Sequence, residues 1–224
     1  MIPWTQLATS RTPDGAGELR LIRRGDEFAI MLGSNPLMNN RLRGSEEALA
    51  TLACDRIRGR EKSRVLIGGL GMGFTLRAAL KALGPGARVV VAELVPAVVA
   101  WARGPMAEVF GDCLDDPRVE IRETDVANLV RATAPTWDAI LLDVDNGPDG
   151  LTQKGNDRLY DLAGLSAARA SLRPGGVLAV WSSGPDRNFT ARLKKSGFAV
   201  EEVPTRANGK GGGARHVIWL ARKG

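Results

Sequence analysis

Three acidic residues stand where strand-like stretches end: Glu93 after "VVVA", Asp125 after "EIRET" and Asp143 after "WDAILL". Another such stretch, "RVLI", ends instead in glycines, with Gly69, Gly71 and Gly73 at alternate positions. Carboxylates at strand ends beside bare backbone suit a polar cyclic ligand. Glycine reaches positive φ at little cost and has no Cβ to hold a ligand off the chain. An acid about twenty residues past such a turn can accept both hydroxyls of a ribose, and Glu93, followed by Leu94, has that spacing. Asp125, followed by Val126, suits an adenine amino group and equally the N-cap of "VANLVRA". Asp143 could take a proton or steady a cationic transition state, with Asp145 as its competitor two residues on. Dinucleotide sites read G-x-G-x-x-G. Here the third glycine comes one residue early, and no Walker-type lysine follows. The set predicts a nucleoside pocket without phosphates, of the S-adenosylmethionine (SAM) kind.

The elements that must position these groups read as strand and helix in alternation from Arg64 onward. "RVLIGG", "ARVVVAEL", "RVEIRETD", "WDAILLDVD" and "GVLAVWSSG" are strands, and "FTLRAALKAL" and "DRLYDLAGLSAARASL" are among the helices between them. That rhythm predicts an α/β fold with a doubly wound, mostly parallel, Rossmann-like sheet. Before it, "GELRLIRRGDEFAIML" alternates around "RGDE" as a short β-hairpin, and "GSNPLMNNRLRGS" reads as a turn-rich connector. "SEEALATLACDRIRG" reads as a helix with Ser45 as its N-cap and Glu46 and Glu47 at the positive end of its dipole. The expected division is residues 1–44 for hairpin and connector and 45–224 for the SAM-binding catalytic domain.

Composition narrows the function. The chain has 224 residues, 44% hydrophobic and 25% charged, enough apolar residues for a sizeable core. No window of 18 apolar residues and no basic-then-apolar start is present, so neither a membrane span nor a signal peptide is expected, and a cytoplasmic site is. Cys54 and Cys113 are expected as reduced thiols. The net charge of +6 is scattered rather than striped and aromatics are 5%, which disfavours nucleic acid as a partner. His216 is the only histidine, and with two distant cysteines it assembles no zinc set. It is expected as a packed or surface residue.

"VLIGGLGMGFTLRAAL", "VVVAELVPAVVAWA", "DPRVEIRETD" and "WDAILLDVDNGPDG" resemble, in order and spacing, the successive motifs of the spermidine synthase group. That group is a branch of the class I, SAM-type methyltransferase fold, and the match runs from about Gly17 to Gly184. The resemblance implies ribose on Glu93, adenine near Asp125 and Asp143 as the catalytic aspartate that deprotonates or orients an attacking amine. It also implies that the hairpin is a trimmed N-terminal β domain, and that copies pair as dimers. The sequence departs from the family in three places. The aspartate that holds the donor's amine inside the glycine turn is replaced by Met72, and the family's second acid after the fourth strand falls near Asn146. The Tyr-His/Gln-Glu segment becomes "GSEEALA", with Glu47 as the possible match.

On those departures the sequence favours methyl transfer from SAM to a small-molecule acceptor, since a neutral Met72 spares a donor carboxylate from repulsion. The alternative is aminopropyl transfer from decarboxylated SAM to an amine, and the third reading is a nucleoside-binding or RNA-modifying protein. Asn39, Asn40, Glu46, Glu47, Asp145 and Asn146 are the expected acceptor contacts. The two walls of the acceptor pocket are expected from residues 37–47 and 146–160.

Overall fold

The leading forty residues make more structure than a hairpin. β1 (Thr5–Arg11), β2 (Glu18–Arg24), β3 (Glu27–Leu32) and β4 (Asn35–Asn39) form a four-stranded antiparallel sheet in that order. The computed structural model describes residues 2–13, 15, 17–131, 134–144, 157–209 and 212–224. β2 and β3 are the expected pair, with Leu19, Leu21, Phe28 and Ile30 buried. The added strands lie at the edges, where backbone pairing rather than burial holds them. β1 is mostly exposed, and β4 carries Pro36, which an edge strand tolerates because it need not donate inward.

α1 (Gly44–Arg56) leads to the second sheet. Its N-cap is Arg43, not Ser45, and no side chain caps it. The Ser45 hydroxyl is engaged elsewhere, as described below. Then follow β5 (Arg64–Gly68), α2 (Phe74–Ala82), β6 (Arg88–Glu93), α3 (Pro96–Arg103), α4 (Ala107–Phe110), a 3₁₀ turn (Gly111–Leu114), β7 (Val119–Glu123), α5 (Val126–Val130) and β8 (Trp137–Leu142). α6 (Asp157–Tyr160), α7 (Leu162–Ser171), β9 (Leu172–Ser182), α8 (Arg187–Lys195), β10 (Phe198–Arg206) and β11 (Arg215–Lys223) complete the described chain.

The strand order is β10-β11-β9-β8-β5-β6-β7. β5 to β9 run parallel, while β11 is antiparallel to both β9 and β10. From β5 the chain moves outward through β6 and β7, then returns to the other side of β5 with β8. Ligands bind at such a reversal, beyond the carboxyl ends of the strands. Register brings those ends level: Gly68 lies opposite Ala92 on one side and Leu142 on the other. Glu93 and Asp143 therefore flank the exit of β5.

Both faces of this sheet are covered, which is why the centre of β8, Ala139 to Leu142, reads as an unbroken apolar run. One face packs Val65, Ile67 and Leu141 with α1, α2, α3 and the N-terminal sheet. The other packs Leu66, Ile140 and Leu142 with α5, α7 and α8. Each fully buried Leu or Ile in β8 contributes about 1.5–3 kcal/mol. The start of β8 is pinned by Asp138, whose carboxylate accepts from Arg60 (2.5 Å), Arg173 (3.0 Å) and the Arg64 amide (2.7 Å). No described helix is long and apolar enough to cross a membrane.

Candidate active site

The turn after β5 is shaped by glycines that other residues could not replace. Gly69, Gly71 and Gly73 have φ of 89°, 52° and 75°. A Cβ on Gly69 would lie 2.5 Å from the Asp143 carbonyl oxygen, so bare backbone lets the ends of β5 and β8 meet. Gly73 caps α2, and a Cβ there would strike the Phe110 ring at 2.5 Å.

Beyond the turn lies a cavity of about 890 Å³, including its open mouth. Its floor comprises Gly69, Gly71, Ala92, Glu93, Leu94, Val95, Val98, Thr124, Asp125, Val126, Asp143 and Val144. Its roof comes from the N-terminal sheet and its turns: Thr12, Leu19, Ile30, Leu32, Leu37 and Met38. The alternation in "ELRLIRR" and "EFAIML" identifies Leu19, Ile30 and Leu32 as inward-facing. The floor they cover is set by tertiary packing, which local sequence does not carry.

Glu93 is 7% exposed. Its Oε2 accepts the Leu70 amide and its Oε1 the Val95 amide, each at 2.8 Å. Burial pushes its pKa up, against the pull of backbone N–H groups from Leu70, Val95, Gly71 and Leu94. Each oxygen keeps a lone pair for a ligand hydroxyl. Asp125 lines the cavity and also caps α5, accepting the Ala127 amide at 2.8 Å. Thr75 Oγ1 donates to Asp143 Oδ2 at 2.6 Å and lies 3.4 Å from the Glu46 carbonyl. Asp143 is pushed up to about 7, by burial first and then by the charge of Glu46, with the Thr75 hydrogen bond opposing. Glu46 is itself raised by burial, partly offset by the Ser45 hydroxyl. A carboxylate whose ionisation a neighbouring carboxylate opposes makes a place for a cation.

The remaining expected residues sit as follows. Met72 is 4% exposed and packs into the core, away from the cavity lining, and Gly73 is likewise absent from that lining. Asn39 Oδ1 accepts the Arg41 and Leu42 amides, closing the turn after β4. Asn40 clips β3 to that turn, accepting from the Phe28 amide and donating to the Asp26 carbonyl. Glu47 is half exposed and pairs with Arg43 at 3.7 Å. Asp145, Asn146 and most of the 146–160 wall lie outside the described residues. His216 is more than a packing residue: its Nδ1 is 3.0 Å from Ser45 Oγ. The two residues are 171 apart in sequence, so no local pattern could announce the contact. Among the described residues no group of three or more His, Cys, Asp or Glu is placed to hold a metal ion. Cys54 and Cys113 are free thiols.

The fold is the class I, SAM-type methyltransferase architecture, with five parallel strands, an antiparallel β11 and a glycine turn after its first core strand. Within that class it is spermidine synthase-like, with its own four-stranded antiparallel sheet at the N-terminus. A spermidine synthase from Thermotoga maritima superposes with a TM-score of 0.75 at 20% identity, covering 98% of this chain and 72% of that one. A probable spermidine synthase from Corynebacterium glutamicum gives 0.64 at 16% identity, covering 97% and 79%. In sequence, a polyamine aminopropyltransferase of Mycobacterium tuberculosis (strain H37Rv) is 29% identical over 204 residues, covering 84% of this chain and 37% of the relative. One from a Synechococcus strain is 31% identical over 122 residues, covering 54% and 38%. The chain thus spans little more than a third of the length of these curated relatives. No family model matches it.

These relatives overturn the expectation of methyl transfer, since they are aminopropyltransferases by name. The structure explains why the argument from Met72 fails. A side chain buried in the core says nothing about the charge that the cavity offers a donor.

Proposed function

We infer that the chain is a transferase that moves the aminopropyl group of decarboxylated SAM to an amine. The observation that carries this reading is the charge of the cavity. Glu93, Asp125 and Asp143 line it, and no Lys, Arg or His is among its described lining residues. A donor with a carboxylate would find no counter-charge there, and an unpaired charge in a closed site is costly. A donor that carries only a sulfonium and an ammonium suits it.

The residues fit such a donor. Bare backbone at Gly69 and Gly71 admits the adenosyl group, with Leu94 and Val126 beside it, Glu93 for the ribose hydroxyls and Asp125 for the adenine amino group. The acceptor enters as an ammonium, because an alkylamine has a pKa of about 10.4 in water. Asp143, as carboxylate, takes one of its protons, and the charge of Glu46, a residue outside the described cavity lining, favours the approaching amine through space. The freed nitrogen lone pair attacks the carbon next to sulfur. The C–N bond forms and the C–S bond breaks, with its electron pair passing to sulfur. The products are a neutral thioether and a longer, protonated amine, and the proton on Asp143 returns to solvent. The protein supplies alignment and a field that favours charge leaving sulfur.

Incubation with decarboxylated SAM and a diamine, followed by mass analysis, tests this. The expected products are the aminopropylated diamine and the thioether nucleoside in equal amounts. Consumption of neither compound overturns the reading.

A further inference from the structure

The histidine on β11 is tied to the acidic pair through one hydroxyl. His216 Nδ1 lies 3.0 Å from Ser45 Oγ, and Ser45 Oγ lies 2.6 Å from Glu46 Oε2. Ser45 is 1% exposed, so water does not substitute for either partner. The imidazole stands edge-on to Trp181, with ring centroids 4.8 Å apart and planes at 72°. That packing fixes the plane of the ring.

A serine hydroxyl has one proton to give. If Ser45 gave it to His216, Glu46 would have to be protonated to fill the shorter contact. A separation of 2.6 Å is that of a hydroxyl donating to a carboxylate. The Ser45 proton therefore belongs to Glu46, and the 3.0 Å contact is filled by an N–H on His216 Nδ1. Burial lowers the His216 pKa, which leaves the neutral ring with a single N–H at pH 7.

We propose that His216 is a positioning residue for the amine site: its Nδ1–H donates to Ser45 Oγ, turns the Ser45 proton onto Glu46 and fixes the orientation of that carboxylate. The proposal rests on the reading of Glu46 as a charge that favours the amine. His216 itself touches neither donor nor acceptor.

Because His216 is the only histidine, its ring nitrogens give an unambiguous signal in the full chain labelled with ¹⁵N-histidine. Long-range proton–nitrogen correlation is expected to show Nδ1 protonated and Nε2 bare, and Ser45→Ala is expected to shift the ring toward the other tautomer. Protonated Nε2 with bare Nδ1 in the unaltered chain overturns the proposal. Kinetics provide the second arm. His216→Phe keeps the aromatic edge against Trp181 but has no donor, and should raise the KM for the diamine about three- to tenfold, the worth of one hydrogen bond, with kcat nearly unchanged. His216→Asn, whose amide N–H can stand where Nδ1–H stood, should restore that KM. An unaltered KM in the Phe variant overturns the proposal. Absence of any transfer by the unaltered chain overturns the functional reading instead, and the ring tautomer then still decides the hydrogen-bond assignment.

Discussion

The Thr75 hydroxyl donates to the Asp143 carboxylate at 2.6 Å, joining the first turn of α2 to the end of β8. This bond is the one influence that favours the ionised form of Asp143, against burial and the Glu46 charge. If Asp143 acts as a base, kcat/KM rises as it ionises, so the acid limb of the pH profile is expected near pH 7. Thr75→Val should move that limb to higher pH. Glu46→Gln removes a nearby negative charge and should move it to lower pH. Both charges sit in one site, so the limb reports the pair. A limb near pH 4 in the unaltered chain contradicts the account.

Asp143 also leaves a mark on stability. Its folded pKa, about 7, is above its ordinary 3.8, so ionisation costs the folded state. The neutral group's contribution is fully present below 3.8 and is lost as pH rises through 7. Asparagine does not ionise. Thermal melts should therefore show Asp143→Asn gaining on the unaltered chain between pH 4 and pH 8, by at most about 4 kcal/mol. The same variant should lose turnover by about 10²- to 10⁴-fold. A stability difference that does not change with pH counts against the raised pKa.

Glu93 holds two backbone amides as well as, in our reading, a ribose. Glu93→Gln turns an NH₂ toward either Leu70 N–H or Val95 N–H, donor against donor. The expected cost is about 1–3 kcal/mol in denaturant unfolding, together with weaker donor binding. A variant as stable as the parent means that these bonds are not formed.

Gly73→Ala tests the packing under the turn. The new Cβ meets Phe110 at 2.5 Å in a backbone with φ of 75°. A loss of about 2–4 kcal/mol is expected. Gly84→Ala, where nothing lies within 4 Å and φ is not positive, should change stability by less than about 0.5 kcal/mol.

The second sheet was legible because buried parallel strands write themselves as short apolar runs. β8 carries that signal from Ala139 to Leu142, and Asp143 follows as the next polar residue. β1 and β4 were not legible. Edge strands need only one partner and bury little, so their side chains show no clear alternation. Met72 misled for a related reason. Spacing places a residue in a turn, but the positive φ of the glycines on either side decides where its side chain points. The Asn39 side chain accepts backbone amides of the turn after β4, and that of Asn40 bonds Phe28 and Asp26 across to β3 and its preceding turn, partners that residue type alone does not announce. The Ser45–His216 contact joins α1 to β11 and depends on the whole sheet being assembled.

In our reading this cavity, acidic and without a cation among its described lining residues, selects a donor without a carboxylate. Calorimetric titration of the full chain with decarboxylated SAM and with SAM, in the same buffer, tests it directly. Decarboxylated SAM is expected to bind at least about tenfold more tightly, some 1.4 kcal/mol. Equal binding, or tighter binding of SAM, would contradict it.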